Sequence, residues 1–203
     1  MSPADETTRT RILEAALREF ADHGIAGARI NRIAAAARTS KERLYAYFHD
    51  KEELLETIKA QQMAEIARAV PMDPADLPGY VGRLFDHFQR HPDHHRIAAW
   101  CALEDTGQSL PEDHPRLAAY RAKVEKLRGA QQAGLIDAGW DPAALLSLLI
   151  ALARSWCHMP KEVRQLAGAA EPPLAPHPLA LPPLALHRAA VVEAARRLLR
   201  PPG

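Results

Sequence analysis

Between residues 29 and 51 the chain carries Arg29, Arg32, Arg38, Lys41, Arg43 and Lys51 against only Glu42 and Asp50, a local charge of +4. Asn31, Ser40, Tyr45 and Tyr47 stand among them. Guanidinium and ammonium groups at this density neutralise phosphates, and the amide, carboxylate and phenol groups between them can reach base edges. The whole 203-residue chain has a net charge of only +1, so the cations mark a local footprint and not a generally basic surface. The bland alternative is an ordinary pair of core helices with solvated charges.

Such side chains must be held by something. Ile30, Ile33, Ala34 and Ala37 fall at i, i+3, i+4 and i+7 and predict a helix with one apolar face, from which Asn31 and Arg32 point away. Leu44 and Phe48, four apart, can turn inward in a second helix that Ser40 caps, leaving Lys41, Glu42, Arg43, Tyr45 and Tyr47 on its other faces. Arg38-Thr39-Ser40 separates the two, giving a helix-turn-helix. A second helix of roughly two turns is marginal alone and depends on tertiary packing. Ile12, Leu13, Ala16, Leu17 and Phe20 predict a preceding amphipathic helix, stopped near His23-Gly24 by a left-handed glycine, that serves as the floor.

No Ser, Thr, Asp or Asn directly precedes Ile30, so the N–H groups of that helix need another partner, for which a DNA phosphate is one candidate. Asp50-Lys51-Glu52-Glu53 has the spacing of a capping box and opens a fourth helix bearing Leu54, Leu55, Ile58 and Ile66. Lys51 stands in its first turn, where the helix dipole disfavours an ammonium unless an anion meets it.

The order helix, Gly24, Ile33-Ala34, then Ser40-Lys41-x-x-Leu44-Tyr45-x-Tyr47-Phe48-x-x-Lys51-Glu52-x-Leu54 resembles the N-terminal domain of the tetracycline-repressor (TetR) family of bacterial regulators, over about residues 7 to 58. Arg38 departs from that family's usual turn glycine, and Glu42 and Arg43 from its small residues or Pro and Thr. The resemblance implies a DNA-binding transcriptional regulator: a homodimer on a palindromic double-stranded operator, a repressor released by a small apolar or aromatic effector. Arg29, Arg43, Tyr47 and Lys51 are then expected at phosphates, and Asn31, Arg32, Lys41, Glu42 and Tyr45 at base edges, with Ser40 as the cap.

Pro71-Met72-Asp73-Pro74 breaks the chain after the fourth helix, and the expected organisation is a helix-turn-helix domain over 1–50, a connecting helix over 51–70, and an effector-binding and dimerisation domain over 71–203. Leu77, Tyr80, Val81, Leu84, Phe85 and Phe88 form an apolar stripe; Ile97, Trp100 and Cys101 form another, and Leu117, Tyr120, Val124 and Leu127 a third. Asp141-Pro142 caps and starts a helix through Trp156 that is apolar nearly all round and has to be covered on both sides, which a second subunit can do. Six prolines between Lys161 and Leu186 predict an irregular segment before a last helix over about 186–199. The fold class is therefore all-α. By the same resemblance Phe85, Phe88, Trp100, Tyr120, Trp156 and Met159 enclose the effector, although core packing is the simpler reading of each. The resemblance likewise implies a dimer interface formed by the last two main helices, where Leu145, Leu149, Leu152, Val192, Ala195 and Leu199 are expected.

Other chemistry finds little support. The sequence has no Gly-rich phosphate loop and no G-x-S-x-G turn, so no catalytic residues are assigned, and an enzyme or a protein-interaction helical module is the alternative. His87, His91, His94, His95 and His114 lie near Asp86 and Asp93, but without H-E-x-x-H spacing and with Pro92 in their midst; they read as solvated, with no metal or other cofactor expected. Cys101 and Cys157 fall in apolar patterns and read as inert thiols. The N-terminus lacks an apolar run and no apolar stretch reaches the ~20 residues that cross a bilayer, which points to a cytoplasmic protein without a membrane partner.

Overall fold

The computed structural model describes residues 3–104, 107, 109–168 and 183–201. Among the described residues the regular elements are all helices: α1 (Pro3–Gly27), α2 (Ile30–Ala36), α3 (Lys41–Tyr45), α4 (Lys51–Ala69), α5 (Leu77–Arg90), α6 (Pro92–Leu103), α7 (Pro115–Gln132), α8 (Pro142–Arg154), α9 (Lys161–Gly168) and α10 (Pro183–Leu199). No described helix is long and apolar enough to cross a membrane. The chain divides into two compact units, one of residues 1–65 and 91–116, the other of 66–90 and 117–203.

The first unit is built on α1. Ile12, Ala16 and Phe20 are fully buried, and against them lie Ile33, Ala34 and Ala37, Leu44 and Phe48, and Leu54, Leu55 and Ile58. The apolar faces expected of the first four helices are therefore the faces that pack. α6 joins the same unit through Ile97, which is 1% exposed. Gly24 has φ 72° and interrupts α1, and a Cβ there would stand 3.0 Å from the Trp100 ring. Only glycine meets both demands, the left-handed backbone and the close approach. Around this kink, Arg96 Nε and Trp100 Nε1 both donate to the carbonyl of Ala21, at 2.8 and 3.2 Å. The Glu104 carboxylate accepts from Ile25 N and Ala26 N, each at 3.0 Å. α6 thus satisfies the carbonyl and the N–H groups that the break in α1 leaves open.

In the second unit α5 packs on α8 and α10. Leu77, Tyr80, Val81, Leu84, Phe85 and Phe88 are all buried, as their spacing predicts. Asp141 caps α8, its Oδ1 accepting from Ala143 N and Ala144 N at 3.0 and 2.8 Å. Leu145, Leu149, Ala195 and Leu199 are at most 4% exposed within the single chain. Their side chains pack in the core with α5. Leu152 and Val192 stay half-buried, and Leu148, which is not among the expected interface residues, is 40% exposed.

Two expectations change. Residues 161–168 of the expected irregular segment form α9, built from good helix formers with no proline before Pro172. α10 begins at Pro183, where a missing N–H costs nothing; residues 169–182 of the expected loop lie outside the described residues. The histidines are not all solvated either. His87, His94 and His95 are at most 9% exposed, drawn inward with the apolar stripes of α5 and α6.

Candidate nucleic-acid interface

The short helix α3 is fixed from both sides. Ser40 Oγ accepts from Arg43 N at 3.1 Å, the expected cap, while Leu44 and Phe48 anchor it in the core of the first unit. Arg38, in the turn before it, takes φ 53°, so the position where the TetR family usually has glycine does use the left-handed conformation. With α3 held in this way, Arg29, Asn31, Arg32, Ser40, Lys41, Glu42, Arg43 and Tyr45 are all exposed, and Tyr47 and Lys51 half-buried. Lys41 Nζ stands 5.8 Å from the centre of the Tyr45 ring, so a cation and a phenol project as a pair.

Two carboxylates that spacing alone does not reveal organise this surface. Glu19 of α1 accepts from Arg29 N at 2.9 Å and Arg32 Nε at 2.8 Å, and Arg32 also donates to Gly27 O at 2.9 Å. The start of α2, which lacks a cap from its own N-cap residue, is thereby served in part by a side chain of α1. Burial works against ionisation of Glu19, but the bonds from Arg32 and Arg29 outweigh it and hold its pKa below the usual value. Asp5 Oδ1 accepts from Tyr47 Oη at 2.9 Å and from Arg43 at 3.2 Å, which fixes two of the groups expected at phosphates. Arg43 is correspondingly raised, first by its bond to Tyr47 and then by Asp5.

The capping box at α4 forms with a variation. Asp50 Oδ1 accepts from Glu53 N at 2.7 Å, while the Glu53 carboxylate reaches back to His49 N at 2.6 Å. Lys51 Nζ donates to Ile25 O at 2.8 Å. An ammonium has three donors, so this bond accounts for the placement of Lys51 in the first turn and still leaves protons for an anion.

The residues expected around an effector are divided between the units. Trp100 belongs to the first, bonded to Ala21 O. Phe85, Phe88, Tyr120, Trp156 and Met159 belong to the second: Phe85 and Phe88 buried, Trp156 and Met159 half-buried, Tyr120 42% exposed. His187, which the sequence reading missed, joins two of them. Its ring lies 5.9 Å from Phe85 and 5.2 Å from Trp156, and its Nε2 is 2.8 Å from Ser155 Oγ. Burial lowers the pKa of His187, favouring the neutral ring. Tyr80 is fully buried and its hydroxyl finds no partner among the described residues; burial pushes its pKa up to about 12. A surface hollow of this unit is lined by Pro74, Leu77, Leu135, Ile136, Arg196 and Leu199 and includes none of the expected effector residues. Cys101 and Cys157 are half-buried, and burial raises both thiols, as suits inert side chains.

Residues 12–58 match the family described as "Bacterial regulatory proteins, tetR family", and residues 76–197 match "Tetracyclin repressor-like, C-terminal domain". The chain belongs to the tetR family. It is 41% identical over 163 residues to the HTH-type transcriptional repressor SCO4008 of Streptomyces coelicolor, a match covering 80% of this chain and 85% of that one. The crystal structure of SCO4942, also from Streptomyces coelicolor, is similar with a TM-score of 0.78 at 43% identity, covering 96% of this chain and 99% of that one. A structure of AibR with isovaleryl coenzyme A and operator DNA has a TM-score of 0.63 at 19% identity over 91% of this chain and 96% of that one, a likeness of fold alone. As a tetR-family member the chain is a helix-turn-helix transcription regulator, and α2 and α3 supply that motif.

Proposed function

We propose that this regulator is a repressor, bound as a homodimer to a palindromic operator and released by a small apolar or aromatic ligand. The observation that carries the reading is the exposed face of α2 and α3, where Lys41, Arg43 and Tyr45 project from a helix pinned by Leu44 and Phe48. The name of the 41%-identical relative, a transcriptional repressor, supports the sign of regulation. In this reading Arg29, Arg43, Tyr47 and Lys51 meet phosphates, and Asn31, Arg32, Lys41, Glu42 and Tyr45 approach base edges. Two such faces related by a twofold axis call for two half-sites related in the same way.

The second unit, in the same reading, takes the effector among Phe85, Phe88, Trp156 and His187, and pairs with its mate through the outward faces of α8 and α10. α4 runs covalently from the reading head into that unit, giving ligand and DNA a shared element. A 100-fold loss of operator affinity requires only about 2.7 kcal/mol of coupling, and operator must then weaken the ligand by the same factor. The test is selection of bound fragments from random duplexes, followed by titration of apolar compounds into the complex. Enrichment of a two-half-site palindrome supports the reading. Recovery of no preferred sequence, or a ligand that binds with equal affinity with and without operator, overturns the corresponding part.

A further inference from the structure

Three side chains of metal-binding type converge in the first unit, from α4 and the start of α6. His91 is the N-cap residue of α6 and His94 lies in its first turn, the His94 N–H donating to the His91 carbonyl at 3.2 Å. This backbone bond brings the two imidazoles side by side, their centroids 4.9 Å apart and their planes within 20°. From α4, Glu65 presents Oε1 3.8 Å from His91 Nε2 and Oε2 3.9 Å from His94 Nε2. One ligand atom from each of the three residues lies within 4.8 Å of the others. Pro92, which in sequence looks like an interruption, is the first residue of α6, where proline is accommodated and the turn joining the histidines is undisturbed.

We propose that Glu65, His91 and His94 bind a divalent first-row transition-metal cation of the zinc type. Two imidazole nitrogens and one carboxylate oxygen suit borderline cations, whereas calcium and magnesium favour oxygen-only sets. Metal–ligand bonds of ~2.0–2.2 Å place tetrahedral ligand atoms roughly 3.4 Å apart, so the three groups need to close by up to about 1.4 Å, within the reach of side-chain rotation. Glu65 and His94 also line a surface groove with Arg9, Glu14, Gln61 and Gln62, which provides an entry path and leaves a fourth position for water. An ion held there would tie α4 to α6.

The site is independent of the DNA-binding reading, so its test uses no DNA. Co2+ is titrated into the full chain while visible d–d absorption is followed, and Zn2+ is then added to displace it. A saturable band at one Co2+ per chain, lost on adding Zn2+, is expected. His91→Ala and Glu65→Gln, at positions whose side chains are about a third exposed, should each weaken Co2+ at least about 10-fold, while His114→Ala leaves it unchanged. Equal affinity in wild type and both site variants overturns the proposal. X-ray absorption at the zinc edge of the wild-type complex provides a check that needs no variant: imidazole scattering with oxygen supports the site, and a shell without imidazole refutes it.

Discussion

The Glu19 carboxylate receives Arg32 Nε at 2.8 Å, so a guanidinium expected near base edges is already bonded to α1 in the free protein. Because Arg29 N donates to the same oxygen, Glu19 joins the floor helix to the start of α2. Its pKa is held below its ordinary value of 4.5, which means the unfolded chain binds the proton more readily. Its contribution to stability is complete above that ordinary value and is lost as the pH falls through the lowered folded one. Glu19→Ala should cost about 1.5–3 kcal/mol near neutral pH, the range for hydrogen bonds to a charged group. Denaturant unfolding as a function of pH provides the measurement, with the variant showing a shallower acid limb. Equal slopes for both proteins would remove Glu19 as the source.

Two positive-φ positions give predictions of opposite sign. At Gly24 a side chain faces both the left-handed backbone and the Trp100 ring, so Gly24→Ala should destabilise by at least about 2 kcal/mol. At Arg38 a side chain already bears the left-handed cost, and Arg38→Gly should raise stability by about 0.5–1 kcal/mol despite the greater freedom of the unfolded glycine. Thermal unfolding of the two variants beside wild type decides the matter. A Gly24→Ala protein of unchanged midpoint would show that the kink tolerates a Cβ.

What the sequence disclosed follows interaction range. The stripes of α1, α2 and α5, the Ser40 and Asp141 caps and the Asp50–Glu53 pair are fixed by residues within a few positions of one another, so periodicity and capping chemistry reveal them. Asp5 with Tyr47 and Glu104 with Ile25 join residues 42 and 79 positions apart, and no local pattern encodes such partners. The same limit applies to α8. An all-round apolar helix signals cover on two sides without saying which residues face the chain's own core, and Leu145 and Leu149 are on that inner side. For α6, a satisfactory apolar stripe could not show that Trp100 packs on the Gly24 kink.

Lys51 separates a structural role from a DNA-contacting one. Lys51→Ala removes the bond to Ile25 O together with a candidate phosphate contact. If the ammonium also meets a phosphate, affinity should fall uniformly across DNA sequences and the slope of log K against log salt should flatten by about one. Fluorescence anisotropy over a salt series reads both quantities. An unchanged slope with reduced thermal stability would confine Lys51 to capping the turn at Ile25.

Assembly is tested by two neighbouring leucines on α8. Leu149 is fully buried among α5 and α10, and Leu148 is 40% exposed one residue away, a rotation of about 100° around the helix. If the outward face of α8 pairs with a second copy, Leu148→Glu places a charge in that contact and leaves the chain's own core intact. Its expected result is a monomer by sedimentation, with a helical circular-dichroism spectrum and reduced operator affinity, because one chain presents only one reading head. Leu149→Glu instead buries a carboxylate without a partner and should unfold or aggregate the protein. Val192→Glu, half-buried on α10 and in reach of Gly82, should fall between the two. Leu148→Glu remaining dimeric at micromolar concentration, with the wild-type salt dependence on DNA, would move the interface away from this face of α8.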